Sequence, residues 1–229
     1  MAAINKLELW QAASKLGQKI CDLGALHLRY GTDHRDLEVI ADRMGKGVLG
    51  EHFRRSLHTL SPHRFMWVAA VDDDGDVVGI AAARLDDITG WSLQRYIKEH
   101  FERCFRTAEG EPVRLLEESA SFAEQITGPC AYLGEGFAAH KWRKKGLATL
   151  VVQHLMLMVW DEWKPSIMYG WMRKRHAITG MAVSWGFTET YAQVLKFENE
   201  PDDPELKDAH FVGCRSAGVA GIIDGLSQD

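Results

Sequence analysis

The sequence predicts an α/β protein in which helices pack on a mixed central sheet. Three observations lead to this prediction: an apolar hairpin over 65–85, a strand–loop–helix unit over 130–163, and alternating strand and helix patterns up to residue 214. Elements in this order bury their apolar faces best as layers on one sheet. A chain of 229 residues is long enough for one domain with elaborations, so a single domain over 1–229 is expected.

The N-terminal quarter is predicted to be mostly helical. Apolar residues recur at helical spacing in an extension over 1–24, which Gly24 ends. Asp33 is a good N-cap for a second amphipathic helix. The elements expected here are helices at 5–23, 33–45 and about 48–60, and a short strand at 26–30.

The hairpin joins Phe65–Val71 to Val77–Leu85 through the turn Asp72–Asp76. Its Asp-Gly pair is a strong hairpin signal, and its strands are rich in Val, Ile and Ala. Four carboxylates in the turn raise the question of calcium. An EF-hand loop needs a longer run of ligands that ends in Glu, so a solvated turn is the expectation.

An insert at 86–128 follows the hairpin, and a Gly-rich tail at 216–229 is expected to be loose. The remaining elements are predicted as helices at Ser92–Phe105, Val113–Gln125, about Gly146–Trp163 and Arg175–Trp185, and strands at Cys130–Ala138, Ser166–Met172, Thr190–Phe197 and Ala209–Cys214.

Composition excludes several classes of protein. A net charge of -5 argues against a dedicated nucleic-acid binder. The four cysteines form no C-x-x-C pair, which disfavours zinc and thioredoxin chemistry, and no metal is expected. Charged residues interrupt the N-terminus, and no apolar run reaches the ~20 residues of a membrane span. We therefore expect a cytoplasmic protein with no membrane partner.

The segment Tyr132–Trp163 carries the clearest chemical signal. A strand leads into the basic loop Arg143-Lys144-Lys145-Gly146, and an apolar helix begins at once. The first turn of a helix presents unpaired N–H groups and a partial positive charge. Gly146 lets the backbone approach a ligand closely. The arrangement predicts an anion site, with a solvated basic run as the alternative.

Arg143–Ala148 resembles the R/Q-x-x-G-x-G/A loop of the GNAT superfamily of acyl-CoA-dependent N-acyltransferases. Trp142 stands where an aromatic residue often precedes the Arg. The order of the other elements over about 25–215 is similar too, including a helix that ends at Gly186-Phe187. The resemblance implies a mostly antiparallel sheet flanked by helices, with an extra N-terminal helix and a helical insert between the third and fourth strands.

The resemblance also implies acetyl-CoA or another acyl-CoA as co-substrate. Phe137 and Ala138 would bond the pantetheine arm through their backbones, and the thioester would lie where this strand splays from Ser166–Met172. Thr149 would add a hydroxyl contact. The residues implied to hold the pyrophosphate through backbone amides are Arg143, Lys144, Lys145, Gly146, Leu147 and Ala148.

Acyl transfer to an amine needs a group that takes the amine's proton. The candidates are Glu135 on the strand and His140 at its end, with Glu124 weighed as a third. Glu135 facing solvent or binding a cationic substrate is the alternative. The family's thiolate-protonating Tyr falls at Ala182, so water or one of Tyr169, Tyr191 and Ser184 is left for that role.

The predicted function is transfer of an acetyl or acyl group from acyl-CoA to the amine of a small molecule. Two alternatives stay open. One is a non-catalytic acyl-CoA-binding or regulatory module, which the missing Tyr motivates. The other is an N-acyl amino acid synthase similar to acyl-homoserine-lactone synthases. A homodimer is left open by analogy with the family.

Overall fold

The computed structural model describes residues 4–24 and 26–228. Within them, seven strands form one mixed sheet in the order β1-β2-β3-β4-β5-β7-β6. Only β4 and β5 pair in parallel; the other neighbours are antiparallel. The predicted fold class is confirmed. The strands are β1 His27–Gly31, β2 Phe65–Val71, β3 Val77–Asp87, β4 Pro129–Ala138, β5 Ile167–Met172, β6 Glu189–Tyr191 and β7 His210–Cys214.

Helices cover both faces of the sheet. One apolar layer contains α1, α4 and α8; the other contains α2, α3 and the rest of the insert. No helix in the described ranges has the length and apolar composition of a membrane span. The helices are α1 Lys6–Asp22, α2 His34–Arg43, α3 Leu93–Cys104, α4 Leu147–Trp163, α5 Lys174–Ala177, α6 Met181–Trp185, α7 Pro204–Lys207 and α8 Ser216–Ser227.

Local sequence signals fix the start of the early helices. The side chains of Asn5, Asp33 and Ser92 each accept a hydrogen bond from the first turn of α1, α2 or α3. These caps satisfy N–H groups that a helix cannot pair internally. The extra N-terminal helix and the helix at the start of the insert are therefore as predicted.

Two predicted helices are absent from the described structure. The 48–60 stretch contains only the 3₁₀ turn Glu51–Phe53. The 113–125 stretch contains only the turn Ser121–Ala123, because its backbone pairs with a distant segment instead. Leu116 N–H donates to the Lys196 carbonyl at 2.8 Å, and Ala120 N–H to the Val194 carbonyl at 2.8 Å. Tertiary pairing outweighs a weak helical pattern here.

The C-terminal predictions need three corrections. The helix at 175–185 is broken into α5 and α6 by Gly180, whose φ of +80° does not fit a helix. The strand predicted to reach residue 197 ends at Tyr191, since the chain beyond it pairs with the insert. The tail predicted to be loose over 216–229 is ordered in its described part, because α8 buries Val219 and its neighbours against α1 and α4.

Candidate active site

The two parallel strands separate partway along their length. β4 and β5 pair through Cys130–Tyr132 and Ile167–Tyr169, and their pairing goes no further within the described residues. Beyond this point the rest of β4 and the end of β5 face each other without a ladder. A gap therefore opens in the middle of the sheet, and backbone groups that line it are available to a ligand.

A β-bulge lies on the β4 side of this gap. Ala82 pairs with Gly134 while Ile80 pairs with Phe137, so Glu135 and the residue after it oppose a single residue of β3. Glu135 has a φ of +58°, which is unusual for a residue with a side chain. Bulges bend a strand and re-aim its groups, and they are common beside active sites.

Glycines on either side of Glu135 let aromatic rings touch the bulge. A Cβ at Gly134 would lie 2.8 Å from the Phe53 ring, on the face of α2 and α3. A Cβ at Gly136 would lie 2.8 Å from the Trp185 indole, on the face of α4. Each face of the bulge thus has an aromatic ring against it, and any larger residue at either glycine would push that ring away.

Glu135 does not face solvent. Its side chain is 5% exposed and forms an ion pair with the Lys46 ammonium, which is itself 18% exposed. Its Oε1 accepts a hydrogen bond from the Gly50 N–H at 2.9 Å. The carboxylate therefore ties the segment after α2 to the bulge, and it holds a fixed position at the edge of the gap.

The anion site predicted at 143–148 begins with a 3₁₀ turn, His140–Lys145. Gly146 follows with a φ of +78°, and the first turn of α4 has no side-chain cap. No atom lies within 4 Å of the position a Gly146 Cβ would take, so the surface in front of the helix is open. The Leu147 side chain is buried, which leaves only its backbone for ligand contact.

The basic side chains of this turn lack acidic partners. Arg143 Nε donates to the Ala138 carbonyl at 3.1 Å, and its guanidinium lies 5.3 Å from the Phe137 ring centroid. Lys145 lies 4.4 Å from the ring centroid of buried Trp142. In the described part of the chain, no carboxylate approaches Arg143, Lys144 or Lys145 within 4.0 Å. Their charges add to the helix dipole at an open surface.

The other predicted proton-transfer residues lie apart from the gap. His140 is exposed at the start of the 3₁₀ turn, about 10 Å or more along the strand from the bulge at 3.3 Å per residue. Glu124 is exposed beside the turn in the insert. Tyr169 donates to Asp86 at 3.5 Å, and Tyr191 stacks on Phe122.

The remaining two candidate positions, among the described residues, place no proton donor in the gap. Ser184 is exposed and donates to a carbonyl of its own helix, that of Met181. Ala182 is buried in the layer of α4. The structure thus brings Glu135, the Phe137–Ala138 backbone and the Arg143–Thr149 segment together along the C-terminal half of β4 and just beyond it, whereas the His140 side chain is exposed.

A buried polar cluster on the α3 face was not predicted. Arg84, 1% exposed, forms an ion pair with Asp86 at 3.1 Å and contacts His52, His58 and His100. The sequence signal that could have indicated this cluster is the arginine inside the largely apolar strand VVGIAAARLDD. Such a charge must have buried partners, and the sequence does not show which residues supply them.

The guanidinium groups fix the roles of these histidines. A guanidinium can only donate, so His100 Nδ1, 3.3 Å from Arg84, accepts. Its Nε2 then donates to His52 Nδ1 at 2.7 Å. Burial and the nearby Arg84 and Arg103 lower the pKa of His58 from 6.5 to about 3. Burial and neighbouring charged groups likewise keep the pKa values of His52 and His100 well below 6.5, so the three rings are neutral near pH 7.

His58, His100 and Cys104 also lie close enough together to hold a metal ion. Arg84 lies 3.0 Å from His58 Nε2 and 3.3 Å from His100 Nδ1, so the guanidinium occupies the atoms that a cation would need. The His58 and His100 rings are also nearly parallel, at 15°, which keeps their lone pairs from converging on one point. The cluster therefore fits guanidinium donors better than a metal.

No protein-family model matches the chain, and no curated protein matches it. Its structure is similar to several solved structures. Arabidopsis thaliana NAA60 in complex with acetyl-CoA aligns with a TM-score of 0.46 and 12% identity, over 84% of this chain and 99% of that one. FeeM, an N-acyl amino acid synthase from uncultured soil microbes, aligns at 0.47 and 12%, over 86% and 92%. Chaetomium thermophilum Naa20 with a bisubstrate analogue aligns at 0.47 and 14%, over 85% and 88%. These similarities are too distant to assign an activity to this chain.

Proposed function

We propose that the protein is an acyl-CoA-dependent N-acyltransferase that acylates the amine of a small molecule. One observation carries the proposal: the gap between β4 and β5 leads to a helix without a side-chain cap, and the three cations before its first turn have no acidic partner among the described residues. An acyl-CoA is a long thioester with a diphosphate near its middle, and such a molecule needs a narrow cleft with an anion site at one end. The proposal rests on this geometry together with the loop pattern.

In this proposal, the backbone amides of 143–148 hold the pyrophosphate, with Arg143 and the two lysines adding charge and Thr149 a hydroxyl. The backbone of Phe137 and Ala138 bonds the pantetheine arm in the gap. The bulge at Glu135 then places a β4 N–H toward the thioester oxygen, which gains negative charge when the amine attacks. Preorganised donors of this kind stabilise the transition state without having to reorient.

Glu135 is the better of the two candidate bases. Its carboxylate lies at the bulge and is held in place by Lys46 and Gly50, whereas His140 lies exposed at the far end of the strand. Geometry decides between candidates before pKa does. The acceptor would enter from the face of α2 and the insert, since the Trp185 side is closed by α4 and α6.

The second candidate function is a non-catalytic acyl-CoA-binding module. Ala182 favours it, because this buried residue offers no hydroxyl at the place where the resembling family has its acid. An N-acyl amino acid synthase would share the site and differ in preferring long acyl donors, which the same assay distinguishes.

The test is thiol release from acetyl-CoA and from long-chain acyl-CoA donors in the presence of an amine panel, with mass spectrometry of the acylated products. Turnover that needs both the thioester and an amine supports the proposal. Micromolar CoA binding without turnover for any amine or acyl length would refute the enzyme and leave the module. Absence of CoA binding would refute both functions.

A further inference from the structure

The gap contains a tyrosine hydroxyl that the sequence pattern did not suggest. A Cβ on Gly134 would lie 3.6 Å from the Tyr132 hydroxyl and 3.1 Å from its ring. The backbone N–H of Trp171, on the opposite strand, lies close enough to the same hydroxyl to lower its pKa. Gly134 and Trp171 lie two residues beyond the last paired residues of β4 and β5, so the hydroxyl lies between the strands where they separate.

Neighbouring residues hold the ring in this position. It stacks on the His52 ring at a centroid distance of 4.2 Å and packs edge-on against Tyr169 at 5.3 Å. The Arg84 guanidinium lies 5.3 Å from the ring centroid. Gly134 leaves the space along the strand that the ring fills. A residue held on this many sides is preorganised, and only its hydroxyl reaches toward the gap.

The surroundings suit a group that gives up a proton briefly and takes it back. Burial raises the pKa of the Tyr132 phenol, so it is protonated at rest. The Arg84 charge and the Trp171 N–H act in the opposite direction and would stabilise a transient phenolate, whereas the Glu135 and Asp86 carboxylates raise the pKa further and favour return of the proton. His52 is neutral, because burial and Arg84 keep its pKa well below 6.5, and it therefore does not compete as an acid.

We propose that the Tyr132 hydroxyl is the proton donor to the departing thiol of this site. The assignment rests on the acyl-CoA function proposed above. When the amine nitrogen bonds to the acyl carbon, the carbon–sulfur bond breaks and sulfur keeps the electron pair. Tyr132 gives its proton to that sulfur. The phenolate then recovers the proton that the amine nitrogen loses, through Glu135 or water, so the products are amide and free thiol.

The test compares Tyr132→Phe with Tyr96→Phe in the full chain. Tyr96 is a matched control because it also contacts Arg84, through a hydroxyl that accepts a hydrogen bond at 3.1 Å, yet it lies on α3 away from the gap. We expect Tyr132→Phe to keep the CoA affinity of the wild type and to lose about 10²- to 10⁴-fold in kcat. Tyr96→Phe should lose stability without losing kcat.

Fluorinated tyrosine at 132 supplies a second readout that a purely structural role would not change. It keeps the ring and hydroxyl but lowers the phenol pKa. The fall of kcat at high pH should then move to lower pH, whereas the wild type should hold its kcat to about pH 10 and beyond, because its phenol pKa is raised above the ordinary value. Wild-type kcat in Tyr132→Phe, or an unmoved pH profile, would overturn this assignment and leave the proposed function intact. A wild-type protein that neither binds CoA nor releases thiol would overturn both.

Discussion

Replacing Gly146 tests the anion site with a small and calculable perturbation. Gly146 has a φ of +78°, and a side chain there meets no atom within 4 Å. Gly146→Ala should therefore lower stability only because alanine disfavours the left-handed backbone conformation, by about 1 to 2 kcal/mol. Gly146→Glu adds a carboxylate in front of α4. At about 5 Å from a diphosphate of two charges, in a water-like dielectric, the repulsion is about 1.7 kcal/mol, or on the order of 15-fold in Kd.

Calorimetric titration of CoA into both variants and the wild type gives the measurement. Gly110→Glu is the matched control, because Gly110 also has a positive φ, +86°, and open space around a Cβ, but lies in the insert. Only Gly146→Glu should weaken CoA binding by 15-fold or so, and added salt should shrink the difference. Equal CoA affinity for Gly146→Glu and Gly110→Glu would refute the site.

Three further predictions concern the rest of the structure. Glu135→Gln keeps the acceptor for the Gly50 N–H but cannot take a proton, so kcat should fall about 10²- to 10⁴-fold with CoA binding unchanged; unaltered kcat would reduce Glu135 to an anchor. Gly31→Ala should cost about 1 to 3 kcal/mol in urea unfolding, because its Cβ would overlap the buried Trp67 ring; wild-type stability would contradict the packing. Burial lowers the pKa of His154 from 6.5 to about 4, so the unfolded chain binds its proton first as the pH falls. This histidine alone should make the protein about 2 kcal/mol less stable at about pH 5 than at about pH 7, and the loss should shrink in His154→Phe; an identical pH dependence would contradict this account.

The parts of the fold that local chemistry decides could be predicted from the sequence. Ser92 and Asp33 cap helices that begin where they were expected, and the Asp-Gly turn joins the predicted hairpin. The 113–125 segment fails as a helix because Leu116 and Ala120 bond to residues almost 80 positions away. No local pattern carries that information. The Gly-rich tail was wrongly predicted to be loose for the same reason, because α8 is stabilised by packing against α1 and α4.

The same division holds for the candidate site. The basic loop and Gly146 were visible because a short motif specifies them, and the loop's geometry is consistent with the predicted anion site. The Lys46 partner of Glu135 and the position of Tyr132 depend on contacts between distant segments. The bulge at Glu135-Gly136 could not be predicted from the sequence, because a bulge depends on the register between two paired strands.

A crystal structure with bound acetyl-CoA tests the central claim most directly. The account predicts the pyrophosphate against the backbone amides of 143–148 at the start of α4, and the thioester between β4 and β5 beside Glu135 and Tyr132. Acetyl-CoA bound anywhere else on the chain, or no acetyl-CoA in crystals soaked at saturating concentration, would contradict it.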